Sequence, residues 1–277
     1  MESWTVKQHR FQGSYLPFFH CFSAVYKGMP DRTLIISDVH LACPRTWVKR
    51  AELLRPLWEN VHRVVINGDV AELCDPKRRT EAARQTLLLQ SLCKRDGVDL
   101  TLLAGNHDAF LTDRRCLMLA GERVLVTHGD LFLPALTRPS SNGAPGGLPS
   151  AGDDKVSGWS EPPAPPHPFG LRAAMYLRAL RPTTLYQMAR YCLNMPGMAS
   201  QFLQVHAPSA RFLVFGHTHR AGIWEIGSRV IVNTGSFGSS SRPRGVLIDQ
   251  QTLSVFAIVQ KDGSFHLGGQ PMASFSL

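Results

Sequence analysis

The stretch that decides the fold is Leu100-Thr-Leu-Leu-Ala-Gly-Asn-His-Asp108, in which a short apolar run ends abruptly in polar residues. The run is typical of a β-strand that is buried on both faces. Gly105 allows a sharp turn after it. The last three residues then follow the carboxyl end of the strand, where open α/β sheets bind their ligands. An amide, an imidazole and a carboxylate in succession suit a metal and a proton donor, although these residue types are also common in ordinary turns.

The same pattern occurs four more times along the chain. Each further apolar run ends in His, Asp or Asn: Leu34–Ser37 before Asp38-Val39-His40, Val64–Ile66 before Asn67-Gly68-Asp69, Val124–Val126 before Thr127-His128-Gly129-Asp130, and Phe212–Phe215 before Gly216-His217-Thr218-His219. Because strands of one sheet bring such ends together, we expect these side chains to lie close to one another in space.

Size and composition are those of an ordinary globular protein. The 277 residues, of which 44% are hydrophobic and 18% charged, suffice for one domain with an insertion. The net charge of +9 favours an anionic partner: a phosphorylated substrate, nucleic acid or an acidic membrane. No run reaches the roughly 18 apolar residues of a membrane span. The six scattered cysteines include no Cys-x-x-Cys pair, so we expect reduced thiols and a cytoplasmic protein, with peripheral membrane contact as the alternative.

Composition divides the chain into four parts. We expect an N-terminal extension over residues 1–30 and the main domain over residues 31–277. Residues 138–168 contain eight of the 19 prolines and predict a flexible linker. Residues 169–205 predict a helical insertion, broken at Pro182 and Pro196, whose apolar face is traced by Leu185, Met188, Cys192 and Met195. This basic insertion is predicted to be a lid over the site; the alternative is that its helices simply cover the core.

The remaining elements alternate between helices and strands before antiparallel strands follow. A helical segment after Pro44 is predicted to be shortened at Pro56. A second helix is predicted from an N-cap at Thr80 to Asp96, with Gly97 at its C-cap. Short antiparallel pairs are predicted around Gly121 and Gly227, and two strands near Val246–Asp249 and Leu253–Val259 end the domain. This order predicts an α/β sandwich with mixed sheets.

In their order, the polar blocks resemble those of the calcineurin-like metallophosphoesterase family. The resemblance covers roughly Thr33 to Val259, apart from the insertion, and rests on all five blocks. It implies a four-layer α-β-β-α sandwich of two mixed sheets flanked by helices, with a helical insertion in the sequence between His128 and His217.

The resemblance also implies a pair of divalent metal ions about 4 Å apart. The first ion would be bound by Asp38, His40, Asp69 and His219. The second ion would be bound by Asp69, Asn106, His128 and His217, so that Asp69 is the bridging carboxylate. Imidazole and oxygen ligands suit Mn²⁺, which we expect, and also Fe, Zn²⁺ and Co²⁺.

Other residues are expected to act beside the metals. The resemblance implies that His107 protonates the leaving oxygen or stabilises the transition state, and that Asp108 orients His107 through a hydrogen bond. Glu72 is either a residue that positions a ligand or a solvated loop acid. Cys43 and Cys74 are interpreted as packing residues, with thiolate ligation as the alternative. Arg45, Arg78 and Arg220 follow strand ends and are expected to contact substrate phosphate.

These features predict a phosphoesterase that hydrolyses a phosphate ester or pyrophosphate with a metal-bound hydroxide. The UDP-2,3-diacylglucosamine pyrophosphohydrolases are the alternative branch, because they share the helical insertion and Asp69-x-x-Glu72, but they carry Arg at the position of His107. A non-catalytic scaffold with this fold is the alternative of another class, and the complete ligand set favours the enzyme. The basic charge permits nucleic acid as a partner, but no motif of interleaved aromatic and basic residues supports it.

Overall fold

A computed structural model describes residues 32–132, 182–238 and 242–277 of the chain. The predicted extension over residues 1–30, the linker over residues 138–168 and the start of the insertion lie outside the described residues, as do the side chains of Leu185, Met188 and Cys192. Within the described part of the chain, no helix is long and apolar enough to cross a membrane.

The described strands form two mixed sheets. The strands are β1 Thr33–Ile36, β2 Arg63–Asn67, β3 Asp99–Leu103, β4 Cys116–Leu119, β5 Val124–Thr127, β6 Phe212–Phe215, β7 Gly222–Ile226, β8 Arg229–Asn233, β9 Arg244–Asp249, β10 Thr252–Lys261 and β11 Ser264–Ser276. Sheet 1 has the order β11-β10-β9-β1-β2-β3, and sheet 2 has the order β4-β5-β6-β8-β7. The central strands β1–β3 are parallel, as are β5, β6 and β8, and antiparallel strands flank both groups.

Three hydrophobic clusters divide the fold into layers. One cluster lies between the sheets and includes Ile35, Val65, Val126 and Val214. A second cluster joins the outer face of sheet 1 to a 3₁₀ helix, Ala51–Trp58, and to α1, Arg79–Arg95. The third joins the outer face of sheet 2 to α2, Pro182–His206. The chain therefore has the α-β-β-α arrangement of two mixed sheets flanked by helices that was expected.

The two N-terminal helices differ from prediction in detail. The segment after Pro44 forms only the 3₁₀ helix Ala51–Trp58, which ends two residues after Pro56. Proline lacks the N–H of a helical hydrogen bond and so favours a short helix. Thr80 lies in the first turn of α1 and is not its N-cap, which is Arg78 without a side-chain hydrogen bond. Gly97 follows this helix with φ +71°, as the predicted C-cap requires.

Two features of the second half were not predicted. Helix α2 continues through Pro196, where a break was expected, because Met195, Ala199 and Leu203 on both sides of the proline are buried against sheet 2. This part of the insertion thus forms the outer layer of the sandwich. Strand β11 was missed because Gly268, Gly269 and Pro271 obscure its pattern, and its pairing with β10 shows register shifts there.

Candidate metal centre

The predicted metal ligands converge where parallel strands of both sheets end. Loops after β1, β2 and β3 of sheet 1 carry Asp38, His40, Asp69 and Asn106, and loops after β5 and β6 of sheet 2 carry His128, His217 and His219. Most of these side chains are buried, and Asp38 and Asp69 are almost fully excluded from solvent. The fold therefore collects residues that are up to 181 positions apart, from Asp38 to His219, at one edge.

The first ligand group is compact. Asp38, His40, Asp69 and His219 each offer one ligand atom, and these atoms lie within 4.8 Å of one another. The Nε2 atom of His219 lies 3.2 Å from Oδ1 of Asp38 and 3.1 Å from Nε2 of His40. The group is the set predicted for the first ion.

The second group meets the first at Asp69. Oδ2 of Asp69 lies 3.3 Å from Nε2 of His128 and 3.8 Å from Nε2 of His40, so one carboxylate oxygen faces both groups. Oδ1 of Asn106 lies 3.3 Å from Nε2 of His128 and 2.9 Å from Nδ1 of His217. Asp69 thus occupies the position that a bridging ligand requires.

Hydrogen bonds behind the ligands orient two of the imidazoles. Nδ1 of His40 lies 3.0 Å from Oε1 of Glu72, and Nδ1 of His128 lies 2.9 Å from the carbonyl oxygen of Asn67. Both partners are acceptors, so each Nδ1 carries a proton and each Nε2 is the ring atom directed at the carboxylates. Imidazole nitrogens and the oxygens of carboxylates and an amide therefore face one another. Such an arrangement needs a cation between the atoms, and the donor set fits divalent transition ions.

The pKa shifts in the cluster also indicate that its buried carboxylates require positive charge nearby. Burial alone would raise the pKa of Asp69, but the charges of His128, His40 and His107 hold that pKa well below its usual range. Burial alone would lower the pKa of His128, whereas its contact with Asp69 raises the pKa to about 10. In the absence of metal, the cluster therefore takes up protons to balance its buried carboxylates.

The backbone is strained at the ligands. Five of the seven predicted ligands have φ in the left-handed region that non-glycine residues rarely adopt: Asp38 (51°), His40 (52°), Asp69 (51°), His217 (65°) and His219 (57°). Such strain is typical of functional sites. Gly105 and Gly216 complete the packing, because a Cβ at either position would overlap the carboxylate of Asp69 or Asp38 respectively.

The structure corrects the role of Asp108. One carboxylate oxygen of Asp108 accepts hydrogen bonds from the backbone N–H groups of Val70 and Ala71, and the other accepts one from Gly105. Asp108 therefore ties two ligand loops together instead of orienting His107. That role falls to Glu72, whose Oε2 lies 2.9 Å from Nδ1 of His107. The sequence could not distinguish the two acids, because the choice depends on how the β2 and β3 loops approach.

Two positioning residues were not singled out by sequence reasoning. The side-chain hydroxyl of Ser37 donates a hydrogen bond to Asp38, and the amide of the buried Asn67 donates to the carbonyl oxygens of Thr127 and Val214. Asn67 thereby links sheet 1 to the ends of β5 and β6. Ser37 contacts a carboxylate and Asn67 contacts backbone carbonyl groups. Neither contact can be recognised from the sequence pattern.

The remaining candidates lie around the cluster. Arg45 and Arg220 are exposed, and Arg78 pairs with Asp75 at 2.9 Å, so their contact with substrate stays a prediction. Within the described residues, the groups suited to a metal contain neither Cys43 nor Cys74. Partial desolvation raises the pKa of the Cys74 thiol, which opposes thiolate ligation. The residue as a whole is exposed, so Cys74 is not a buried packing residue either.

Comparison with known protein families identifies the family of this chain. A family model for the calcineurin-like phosphoesterases matches residues 31–221. Vacuolar protein sorting 29 from Cryptosporidium parvum is 13% identical, with a TM-score of 0.47 over 90% of this chain and 100% of that one. The Escherichia coli phosphoesterase YfcE is 17% identical, with a TM-score of 0.43 over 88% and 98%. A comparison with curated protein sequences gave no significant match.

Proposed function

We propose that this chain, which belongs to the calcineurin-like phosphoesterase family, is a metal-dependent hydrolase of a phosphate ester or pyrophosphate bond. The observation that carries the proposal is the sharing of one carboxylate by two ligand groups. Asp69 faces His40 on one side and His128 on the other. A buried cluster with strained residues and a carboxylate shared by two ligand groups is the arrangement that a phosphoesterase centre with two metal ions requires.

Metal ions in these two groups would neutralise phosphate oxygens and lower the pKa of a water molecule so that it can act as a nucleophile. Asp38, His40, Asp69 and His219 would hold one ion. Asp69, Asn106, His128 and His217 would hold the other. We propose Mn²⁺ as the resident ion, since a mixture of imidazole and oxygen ligands suits it.

His107 is the proposed proton donor to the leaving oxygen. Its backbone N–H donates to Oδ1 of Asp69 at 2.9 Å, and its Nε2 lies 4.0 Å from Oδ2 of the same carboxylate. The side chain is one-quarter exposed, so substrate can approach the ring. Glu72 at Nδ1 would stabilise the imidazolium, which leaves the Nε2 proton for transfer.

The test is hydrolysis by the metal-loaded protein of p-nitrophenyl phosphate, its diester and a UDP-sugar, with wild type, His107→Gln and the exposed control His62→Gln. We expect His107→Gln to slow turnover roughly 100-fold or more with unchanged metal content, and His62→Gln to resemble wild type. Cleavage of the UDP-sugar would favour the pyrophosphohydrolase branch. Failure of the metal-loaded wild type to cleave any ester would favour the non-catalytic scaffold.

A further inference from the structure

Three arginines lie side by side at the end of sheet 2 opposite the metal centre. Val124, Phe212 and Val230 are register partners near the amino ends of β5, β6 and β8, and each is preceded by an arginine: Arg123, Arg211 and Arg229. Backbone bonds confirm the alignment, since the N–H of Arg211 donates to the carbonyl oxygen of Arg123 at 3.0 Å. We call these three residues the arginine ladder. Neighbouring strands are about 4.8 Å apart, so like charges at such positions repel one another.

In sheet 1, acidic residues neutralise the arginines at the amino ends of neighbouring strands. At the amino ends of β1 and β2, Arg32 pairs with Asp249 at 3.2 Å and Arg63 pairs with Asp99 at 2.9 Å. Across the described ranges, no Asp or Glu forms an ion pair with any member of the ladder. The positive charge of the ladder is therefore not compensated by the described part of the fold.

Neutral acceptors hold two of the three guanidinium groups in place. Nη1 of Arg211 donates to the carbonyl oxygen of Ser276 at 3.0 Å, and its guanidinium carbon lies 5.0 Å from the centre of the Phe212 ring. Nε of Arg123 donates to the carbonyl oxygen of Ala120 at 2.9 Å. These contacts use some donors and fix the side chains, but they leave the charge intact. The result is a pre-organised cationic surface.

A depression lies against two members of the ladder. Its volume is about 360 Å³, and it is lined by Pro208–Arg211, Ser228 and Arg229. Two arginines and two serines are therefore among the residues that line one concavity, with the turn between β7 and β8 as one wall. Planar guanidinium groups and hydroxyls are the donors that proteins use for phosphate oxygens.

We propose that this depression binds a phosphate group, at a site separate from the metal centre. The phosphate would be carried by a small phosphorylated molecule or by an anionic lipid headgroup, since both present the same oxygens to the arginine ladder. Because the site lies at the amino ends of β6 and β8, and the predicted metal ligands of sheet 2 follow the carboxyl ends of β5 and β6, it can be occupied independently of hydrolysis. The proposal does not rest on the proposed function.

The test is binding of inorganic phosphate to the metal-loaded full-length protein, located by hydrogen–deuterium exchange. We expect phosphate to protect peptides covering residues 207–211 and 226–230 in wild type. Arg211→Gln with Arg229→Gln should weaken this protection at least about 10-fold in phosphate concentration, as the loss of charged hydrogen bonds requires. Arg84→Gln with Arg95→Gln, on exposed positions of α1, removes the same charge and should leave the protection unchanged. Phosphate at the metal centre would protect other peptides, so the two sites are distinguished.

A second arm replaces phosphate with vesicles that contain phosphatidylglycerol, and it identifies the source of the phosphate group. Binding to vesicles that needs the ladder, without protection by free phosphate, would assign the site to a lipid headgroup; the opposite pattern would assign it to a soluble ligand. The melting temperature of each variant shows that it is folded. Absence of protection by either probe in wild type, or equal weakening in both double variants, would overturn the proposal.

Discussion

Glu72 joins two histidines through one carboxylate. Its Oε1 contacts His40, a predicted metal ligand, and its Oε2 contacts His107, the proposed proton donor. Burial alone would raise the pKa of Glu72, but the hydrogen bonds from His107 and His40 hold the pKa well below its usual range. The carboxylate is therefore ionised at neutral pH and can stabilise both rings. Of the two roles that sequence left open for Glu72, the positioning role fits these contacts.

The substitution Glu72→Gln should lower both metal affinity and turnover. In a glutamine, an NH2 group replaces one of the two carboxylate oxygens, so a donor would face either His40 Nδ1 or His107 Nδ1 where an acceptor is needed. We expect a roughly 10- to 100-fold loss of metal affinity or turnover, the usual effect of losing a residue that orients a ligand. Metal titration and steady-state hydrolysis measure the two effects. Asp113→Asn, at an exposed position, is the control; equal values for both variants and wild type would refute the positioning role.

At the scale of residues, the sequence predicted which side chains come together but not all of their hydrogen-bond partners. Asp38, Asp69 and His128 lie close together, as expected for residues that each follow a buried apolar strand. The hydrogen bond of Asp108 was assigned wrongly, since its neighbours in space are backbone N–H groups of another loop. Which N–H groups approach a carboxylate depends on the path of the backbone, and residue spacing does not contain that information.

Helix α2 is an element whose packing overrides its local sequence. Pro196 and Gly197 predicted a break, yet the helix is continuous and buries Met195, Ala199 and Leu203 against sheet 2. Apolar burial on both sides of the proline offsets the lost backbone hydrogen bond. Strands such as β1 and β6 were predictable because each is a continuous apolar run, whereas Gly268, Gly269 and Pro271 interrupt β11.

Truncation of one α2 side chain tests whether the helix is part of the core. Leu203 is fully buried, and Leu203→Ala should lower the free energy of unfolding by about 2–5 kcal/mol, because a cavity replaces the side chain. Val205, two residues away, is 65% exposed, and Val205→Ala should change that energy by less than about 0.5 kcal/mol. Chemical denaturation compares the two. Similar small losses in both variants would show that α2 does not stabilise the fold.

At the scale of the whole molecule, the metal centre joins the two sheets. Each ligand group draws on both: Asp38, His40 and Asp69 from sheet 1 meet His219 from sheet 2, and Asp69 with Asn106 meets His128 and His217. Metal binding should therefore stabilise the entire sandwich, because the ions would bind to the folded arrangement only. The convergence of these loops was predicted from the polar residues that follow each apolar run. The expectation that the strands share one sheet was wrong, because β1–β3 and β5–β6 belong to two different sheets.

Metal binding should also release protons. The pKa of His128, raised to about 10 by Asp69, keeps the imidazole protonated at pH 7.5 in the metal-free protein. A metal must displace that proton, so affinity should rise with pH up to about 10 and fall as pH decreases. Calorimetric titrations in two buffers of different ionisation enthalpy should show at least about one proton released per chain. Identical heats in both buffers would contradict the protonated state.

The most direct test of the account is the metal content of Asp69→Asn beside wild type and the control Asp75→Asn. If two ions share one carboxylate, elemental analysis after loading with Mn²⁺ should find close to two ions per chain in wild type and in the control. It should find a marked loss from both sites in Asp69→Asn, because a neutral amide cannot bridge two cations. Full occupancy in Asp69→Asn, or loss from only one site, would contradict the assignment of Asp69 as the bridge.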